Sequence, residues 1–137
     1  MSCWLVKSEP STYSWDDLVR DGKAFWDGVR NYQARNNLKA MRKGDPVLYY
    51  HSGAAPEVVG IAKVVKEAYQ DPTTDDDRWV AVDIKPAKVL KKPVPLDSIK
   101  KEKRLKNIAL IKQGLLSVMP LTKEEYDLIL RMGSTSE

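Results

Sequence analysis

Apolar residues alternate with polar ones in some stretches and recur every three to four positions in others, and these two periods divide the chain. Cys3 to Lys7 is apolar and aromatic-rich, the pattern of a short strand. Ser8-Glu9-Pro10-Ser11 follows as a polar turn. Ser14 can cap a helix with Asp17 in the capping-box position, and that helix runs to about Arg20 and stops at Asp21-Gly22. Ala24 to Asp27 is a short aromatic segment. Asn31 then caps a helix through about Met41, ending at Lys43-Gly44. Within it Ala34, Leu38 and Met41 share a buried face, and Arg35, Lys39 and Arg42 repeat that spacing as a basic stripe beside it.

Strands come next. Asp45 to His51 reads as one, and Val58 to Lys66 as another, with Gly60 marking a bulge or a close backbone approach. After an acidic loop, Asp71 to Asp77, the segment Trp79 to Lys85 alternates with Val80, Val82 and Ile84 on one face. Pro93 and Pro95 mark an extended link to a weak helix near Leu96 to Ile99. The lysine-rich stretch Lys100 to Lys106, a short helix near Ile108 to Lys112 and a late strand, Leu115 to Met119, complete the middle. Thr122 and Glu125 form a capping box for the last helix, with Tyr126, Ile129 and Leu130 facing inward, and Gly133 to Glu137 is expected to fray. This order predicts a single α+β domain over residues 1–137 with a largely antiparallel, curled sheet. Neither strict βαβ alternation nor a glycine fingerprint after a strand is present, which removes dinucleotide-binding and P-loop readings.

Composition narrows the chemistry. The chain of 137 residues is 42% hydrophobic and 31% charged, a globular balance. No apolar run reaches the length of a membrane span, so an intracellular protein, cytoplasmic if bacterial, is the expectation, with no membrane partner. A single cysteine, Cys3, and a single histidine, His51, exclude an internal disulfide and multi-histidine or cysteine-based metal sites. No metal and no cofactor is expected. The net charge of +4 is modestly basic and compatible with a nucleic-acid partner.

The densest chemistry lies between Phe25 and Asn37. Trp26 precedes Gly28, and Arg30, Asn31, Arg35, Asn36 and Asn37 cluster at a helix start. Aromatic faces stack bases, asparagine offers a donor and an acceptor to a base edge, and arginine forks match phosphate. The architectural alternative is equally concrete: Asn31 as a cap and Trp26 as core. Lys7 and Glu9, two apart on an extended segment, can flank a ligand or pair with each other. His51-Ser52 makes no hydrolytic pair, because neighbours on a strand point to opposite faces and no G-x-S-x-G elbow exists. Asp75-Asp76-Asp77 lacks the spacing of a calcium loop.

Seven segments occur in an order that resembles the EVE domain, shared with the thymocyte nuclear protein family. They are Trp4-Leu5-Val6-Lys7-Ser8-Glu9-Pro10, Trp26-Asp27-Gly28-Val29-Arg30-Asn31, Ala34-Arg35-Asn36, Tyr50-His51-Ser52, Val59-Gly60-Ile61-Ala62, Asp71-Pro72-Thr73 and Leu116-Ser117-Val118-Met119-Pro120. The resemblance implies a PUA-like fold, a curled β pseudo-barrel with helices around it. It also implies kinship with YTH domains, which hold an extruded methylated adenine in an aromatic cage. On that basis the base pocket is expected from Lys7, Ser8, Glu9, Trp26, Asn31 and Ser117, with Asn36, Tyr50, His51, Ser52 and Met119 at its periphery. Arg30, Arg35 and Lys39 are expected to hold phosphates. Glu9 stands where the YTH pattern has a polar ring-contacting residue, and its carboxylate would favour an amino group or ring N–H. The loop after Asp71-Pro72-Thr73 is shorter than the family usually shows, leaving Tyr69 or Trp79 as the cage's second wall. The partner implied is DNA or RNA carrying a modified base, read by a binding module with no catalytic residues. Two alternatives are an amidohydrolase on acylated cytidine, resembling ASCH domains and using Lys7 with Glu9, and a protein-interaction module.

Overall fold

Three helix starts follow from local side-chain caps in the structure, a computed structural model that describes residues 1–137. Ser14 and Asp17 close a capping box on α2 (Trp15–Asp21), Asn31 Oδ1 accepts from the Ala34 N–H at 2.9 Å on α3 (Tyr32–Ala40), and Thr122 with Glu125 caps α6 (Lys123–Met132). A one-turn helix α1 (Pro10–Tyr13), with Pro at its first position, occupies the segment read as a turn. The remaining helices are short: α4 (Leu96–Lys101), a 3₁₀ turn (Lys103–Leu105) and α5 (Ala109–Lys112).

Six strands form one mixed sheet: β1 (Cys3–Ser8), β2 (Ala24–Trp26), β3 (Pro46–His51), β4 (Glu57–Gln70), β5 (Val80–Pro95) and β6 (Val118–Leu121). Their order is β2-β5-β4-β3-β1-β6, with β1 and β3 parallel and the other four pairings antiparallel. No ladder joins β2 to β6, so by hydrogen bonding the sheet is open. The α+β class and the dominance of antiparallel pairing match the sequence reading.

Several boundaries differ from it, each for a physical reason. Helix α3 stops at Ala40 rather than at Lys43-Gly44. Asp45 Oδ2 takes the Arg42 N–H at 2.9 Å and the Trp4 indole N–H at 2.9 Å, turning the chain into β3 while Met41 stays fully buried. The segment after Lys85 is no link: β5 continues to Pro95 against β4. Its prolines are tolerated because β2 pairs only with Val82 to Ile84; no strand pairs with the outer edge beyond, and the C-terminal segment that lies there takes the N–H groups of Lys91 and Lys92 rather than bonding at a proline. The last strand begins at Val118, three residues later than expected, and Pro120 sits in it because β6 is an edge strand. The C-terminal residues 133–137 do not hang free. Thr135 is buried and its hydroxyl accepts from the Lys91 N–H at 2.9 Å, while the Tyr126 hydroxyl donates to Glu137 at 2.5 Å.

The core lies between the sheet and its helices, with Leu5, Leu18, Leu38, Leu48, Tyr49, Met119, Tyr126 and Ile129 essentially without exposure. Gly60 serves both purposes read for it. The β3–β4 and β4–β5 registers shift beside it, and a Cβ there would sit 2.6 Å from the Trp15 ring. Trp15 thus lies flat over the strand and carries α2 onto the sheet.

Candidate nucleic-acid interface

β1 and β3 end side by side, with Ser8 opposite His51, and the chain leaves both strands at one end of the sheet. There the Ser8 hydroxyl donates to the Tyr13 carbonyl at 2.5 Å, and the Tyr49 hydroxyl donates to the same oxygen at 3.0 Å. Burial pushes the Tyr49 phenol up to about 12, so it stays a donor. His51 Nε2 accepts the Trp15 N–H at 3.0 Å, which fixes the neutral tautomer with its proton on Nδ1; burial lowers its pKa further from the charged form. These bonds hold α1 and the start of α2 against the strand ends.

Beside this frame opens a cavity of about 440 Å³, ample for a nucleobase. Trp26 forms one wall, its ring edge-on to Tyr49 at 5.5 Å between centroids. Phe25, 55% exposed, and Tyr13 supply further aromatic surface. Ser8, Thr12, Asp21, Lys23 and Asp27 add polar groups. The Tyr13 hydroxyl donates to Asp21 at 2.8 Å, and Asp21 also takes Arg20 at 3.0 Å.

The wall is braced from behind. Gly28 has φ +74°, the left-handed conformation that suits glycine, and its N–H donates to Asp71 Oδ2 at 2.8 Å. Arg30 reaches the same oxygen at 2.9 Å and the Thr73 hydroxyl at 3.2 Å. Thr73 gives Asp71 Oδ1 both its N–H, at 2.7 Å, and its hydroxyl, at 2.5 Å. Burial alone would raise the fully buried Asp71 carboxyl, but the donors from Thr73, Arg30 and Gly28 outweigh it and hold it well below the usual carboxylate range.

The residues expected at the pocket divide into groups. Ser8 and Trp26 line the cavity. Glu9 does not: β1 has ended, and its exposed carboxylate caps α1 by accepting from Ser11. Lys7 and Glu9 therefore form no pair; the Lys7 ammonium donates to the Gly114 carbonyl at 2.7 Å, and burial lowers its pKa. Asn31 engages its side-chain oxygen as the α3 cap. Ser117 is tied to β1 through its carbonyl, which accepts the Lys7 N–H at 2.9 Å. Tyr50 and Met119 are core, Ser52 continues the strand-end bonding through its N–H to Ser8, and His51 supports Trp15.

The basic residues also separate. Arg30 is salt-bridged to Asp71, whereas Arg35 and Lys39 face no carboxylate within ion-pair distance. Arg35 instead donates to Asn36 Oδ1 at 2.8 Å and lies over the Tyr32 ring at 4.9 Å. Trp79 is not simple core. It stacks on Tyr32 with 5.2 Å between centroids, Arg30 and Arg78 lying over it at 5.5 and 5.8 Å. Tyr69 donates to Asp83. Neither Trp79 nor Tyr69 lines the cavity; its aromatic surface besides Trp26 comes from Phe25 and Tyr13, which sequence reasoning missed. Phe25 was legible as an aromatic in a polar setting, but the approach of Tyr13 depends on the α1 turn.

No helix is long and apolar enough to cross a membrane. Comparison with known proteins agrees with this geometry. The EVE domain family model matches residues 2–132. Mouse thymocyte nuclear protein 1 is 39% identical over 166 aligned positions, covering 96% of this chain and 74% of the mouse protein. That alignment is longer than this chain, so the mouse protein carries inserted residues. The NMR structure of Rpa0253 from Rhodopseudomonas palustris superposes with a TM-score of 0.93 at 49% identity, covering 98% of this chain and 94% of that one. Human THYN1 protein, crystallised in complex with DNA containing 5-methylcytosine, superposes with a TM-score of 0.92 at 34% identity, all of both chains covered. A YTH domain from Zygosaccharomyces rouxii, at 14% identity and a TM-score of 0.57, shares the fold over 99% of this chain and 86% of that one.

Proposed function

This chain belongs to the EVE domain family, and from that premise we propose that it is a nucleic-acid-binding module that takes one modified base, flipped out of its stack, into the Trp26 cavity. The observation that carries the reading is the cavity itself, an aromatic-walled space of nucleobase size; elsewhere on the chain Arg35 and Lys39 on α3 are left without carboxylate partners. The human relative bound to 5-methylcytosine DNA makes DNA the first polymer to test. The finer fold we infer from the family is a PUA-like pseudo-barrel; the contact of the Trp26 ring on β2 with Tyr49 on β3, although β5 and β4 lie between them in strand order, is in keeping with it.

The magnitudes are compatible. Extruding a base costs a few kcal/mol, and stacking it on an aromatic wall returns roughly 1–3 kcal/mol. Contacts from Arg35 and Lys39 to flanking phosphates supply much of the remainder and weaken with salt. One buried methyl group adds about 0.8 kcal/mol, near fourfold in affinity. The cavity's shape and polar groups therefore carry most of the selectivity.

The test is a titration of labelled duplexes, identical but for one cytosine or 5-methylcytosine, followed by fluorescence anisotropy. Methyl-selective binding that disappears in Trp26→Ala, with the fold intact by circular dichroism, is the expected result. Equal binding to both duplexes, unchanged by the substitution, would sink the pocket reading and leave a basic surface alone.

A further inference from the structure

We propose that Asp27 selects the base by accepting a hydrogen bond from its exocyclic amino group, so that the cavity takes an amino-bearing base such as 5-methylcytosine and rejects thymine. The proposal rests on the base-flipping reading above and adds the class of base.

Two carboxylates line the cavity, and their states differ. Asp21 is already engaged by the Tyr13 hydroxyl at 2.8 Å and by Arg20 at 3.0 Å. The Asp27 carboxylate makes no hydrogen bond and no ion pair within the protein. The lysine on the same cavity, Lys23, lies 3.8 Å from Asp83 instead. The Ser8 hydroxyl proton is given to the Tyr13 carbonyl, which leaves Ser8 only lone pairs for a ligand. Thr12 and Lys23 bring donors to the cavity, so the free carboxylate of Asp27 is its one unengaged anionic acceptor, and such an acceptor selects a ligand edge that carries N–H.

The position of Asp27 is also fixed from both sides. Trp26 before it pairs with Val82 in the sheet, and the N–H of Gly28 after it is held by Asp71. A carboxylate on a braced backbone, next in sequence to the stacking ring, is placed to read the edge of a base lying on that ring.

Cytosine presents its 4-amino group to such an acceptor, and carboxylates are suited to that group. Thymine carries the same 5-methyl group but an oxygen at position 4, whose lone pairs face the carboxylate. A methyl-shaped pocket alone cannot separate 5-methylcytosine from thymine; Asp27 separates them by reading position 4, where cytosine donates and thymine does not, rather than position 3, where thymine carries an N–H.

Three duplexes differing only in the base opposite one guanine (5-methylcytosine, cytosine or thymine) make the test, with the ratio of affinities as the readout. The thymine·guanine mismatch opens more readily, which biases against the proposal. The wild-type chain is expected to bind 5-methylcytosine roughly tenfold or more tighter than thymine. Asp27→Asn is expected to erase that ratio, since its amide can turn an N–H toward the thymine oxygen, while methyl selectivity over cytosine persists. Asp27→Ser, which removes the carboxylate with less bulk, checks that the effect is not one of folding. A 5-methylcytosine-to-thymine ratio that both variants keep overturns the proposal and leaves the base reading standing. A wild-type preference for thymine overturns it equally. Wild-type binding blind to all three bases is a different failure, that of the base reading itself.

Discussion

Asp27 and Asp71 flank the same glycine in space and could hardly differ more in their bonding. Asp71 is fully buried and accepts hydrogen bonds from Gly28, Arg30 and twice from Thr73. Asp27 lines the cavity and accepts none. One carboxylate ties two loops together; the other faces the space a ligand would fill. Polar groups that the fold satisfies internally do architectural work, and those left open on a concave surface are available to a partner. The comparison reorders the basic residues too, because the Asp71 site absorbs Arg30 and leaves Arg35 and Lys39.

The largest expected effect comes from breaking the buried member. Asp71→Ala strips the acceptor from two N–H groups, a hydroxyl and a guanidinium, and should lower unfolding stability by about 3 kcal/mol. Asp27→Ala, which removes no internal partner, should stay within about 0.5 kcal/mol of the parent. Urea unfolding of both variants measures the contrast. Matching midpoints for the two would show that the Asp71 site contributes nothing special.

Acid sharpens the same contrast at a smaller scale. The folded Asp71 carboxyl is held below its unfolded value, so its contribution is complete above the unfolded pKa near 3.9 and is lost as pH falls toward the folded one. Between pH 5 and pH 3 the wild type should lose roughly 1 kcal/mol more than Asp71→Asn, because the variant has no such group to protonate. Parallel stability curves for the two proteins over that span would contradict the assignment.

What the sequence disclosed follows the range of the interactions. Ser14 with Asp17, Asn31 with Ala34 and Thr122 with Glu125 are bonds across three residues, so the residues that make each cap stand together in the chain. The aromatic Trp26 and the Ser8 strand end were found as candidates, and the structure brings both to one cavity. Asp71 was visible within the Asp71-Pro72-Thr73 segment but without a role, since its bond to Gly28 spans 43 residues. Glu9 was placed at the pocket by the family resemblance, which carries no record of the local turn; once Pro10 starts α1, Glu9 becomes its cap. The length of β5 escaped because lysines and prolines weaken any strand pattern, and only the lack of a paired strand on its outer edge beyond β2 makes them acceptable.

The smallest effect separates arginines that composition cannot tell apart. Each cation neutralising a phosphate steepens the salt dependence of DNA affinity by about 0.9 in logarithmic slope. Arg30 is 2.9 Å from a buried carboxylate, so most of its charge is offset before DNA arrives. Arg35 has its guanidinium over the Tyr32 ring and against Asn36, with no countercharge, and Lys39 lies one turn along the same helix. Arg35→Gln and Lys39→Gln should therefore each flatten the slope by close to 0.9 and weaken binding to cytosine and 5-methylcytosine duplexes alike. Arg30→Gln should leave the slope nearly unchanged while lowering stability, because it removes a donor from Asp71. Affinities measured at four salt concentrations for the three variants decide the matter. A slope that falls for Arg30→Gln as much as for Arg35→Gln would mean that the Asp71 ion pair opens on binding, and that the architectural carboxylate also regulates the interface.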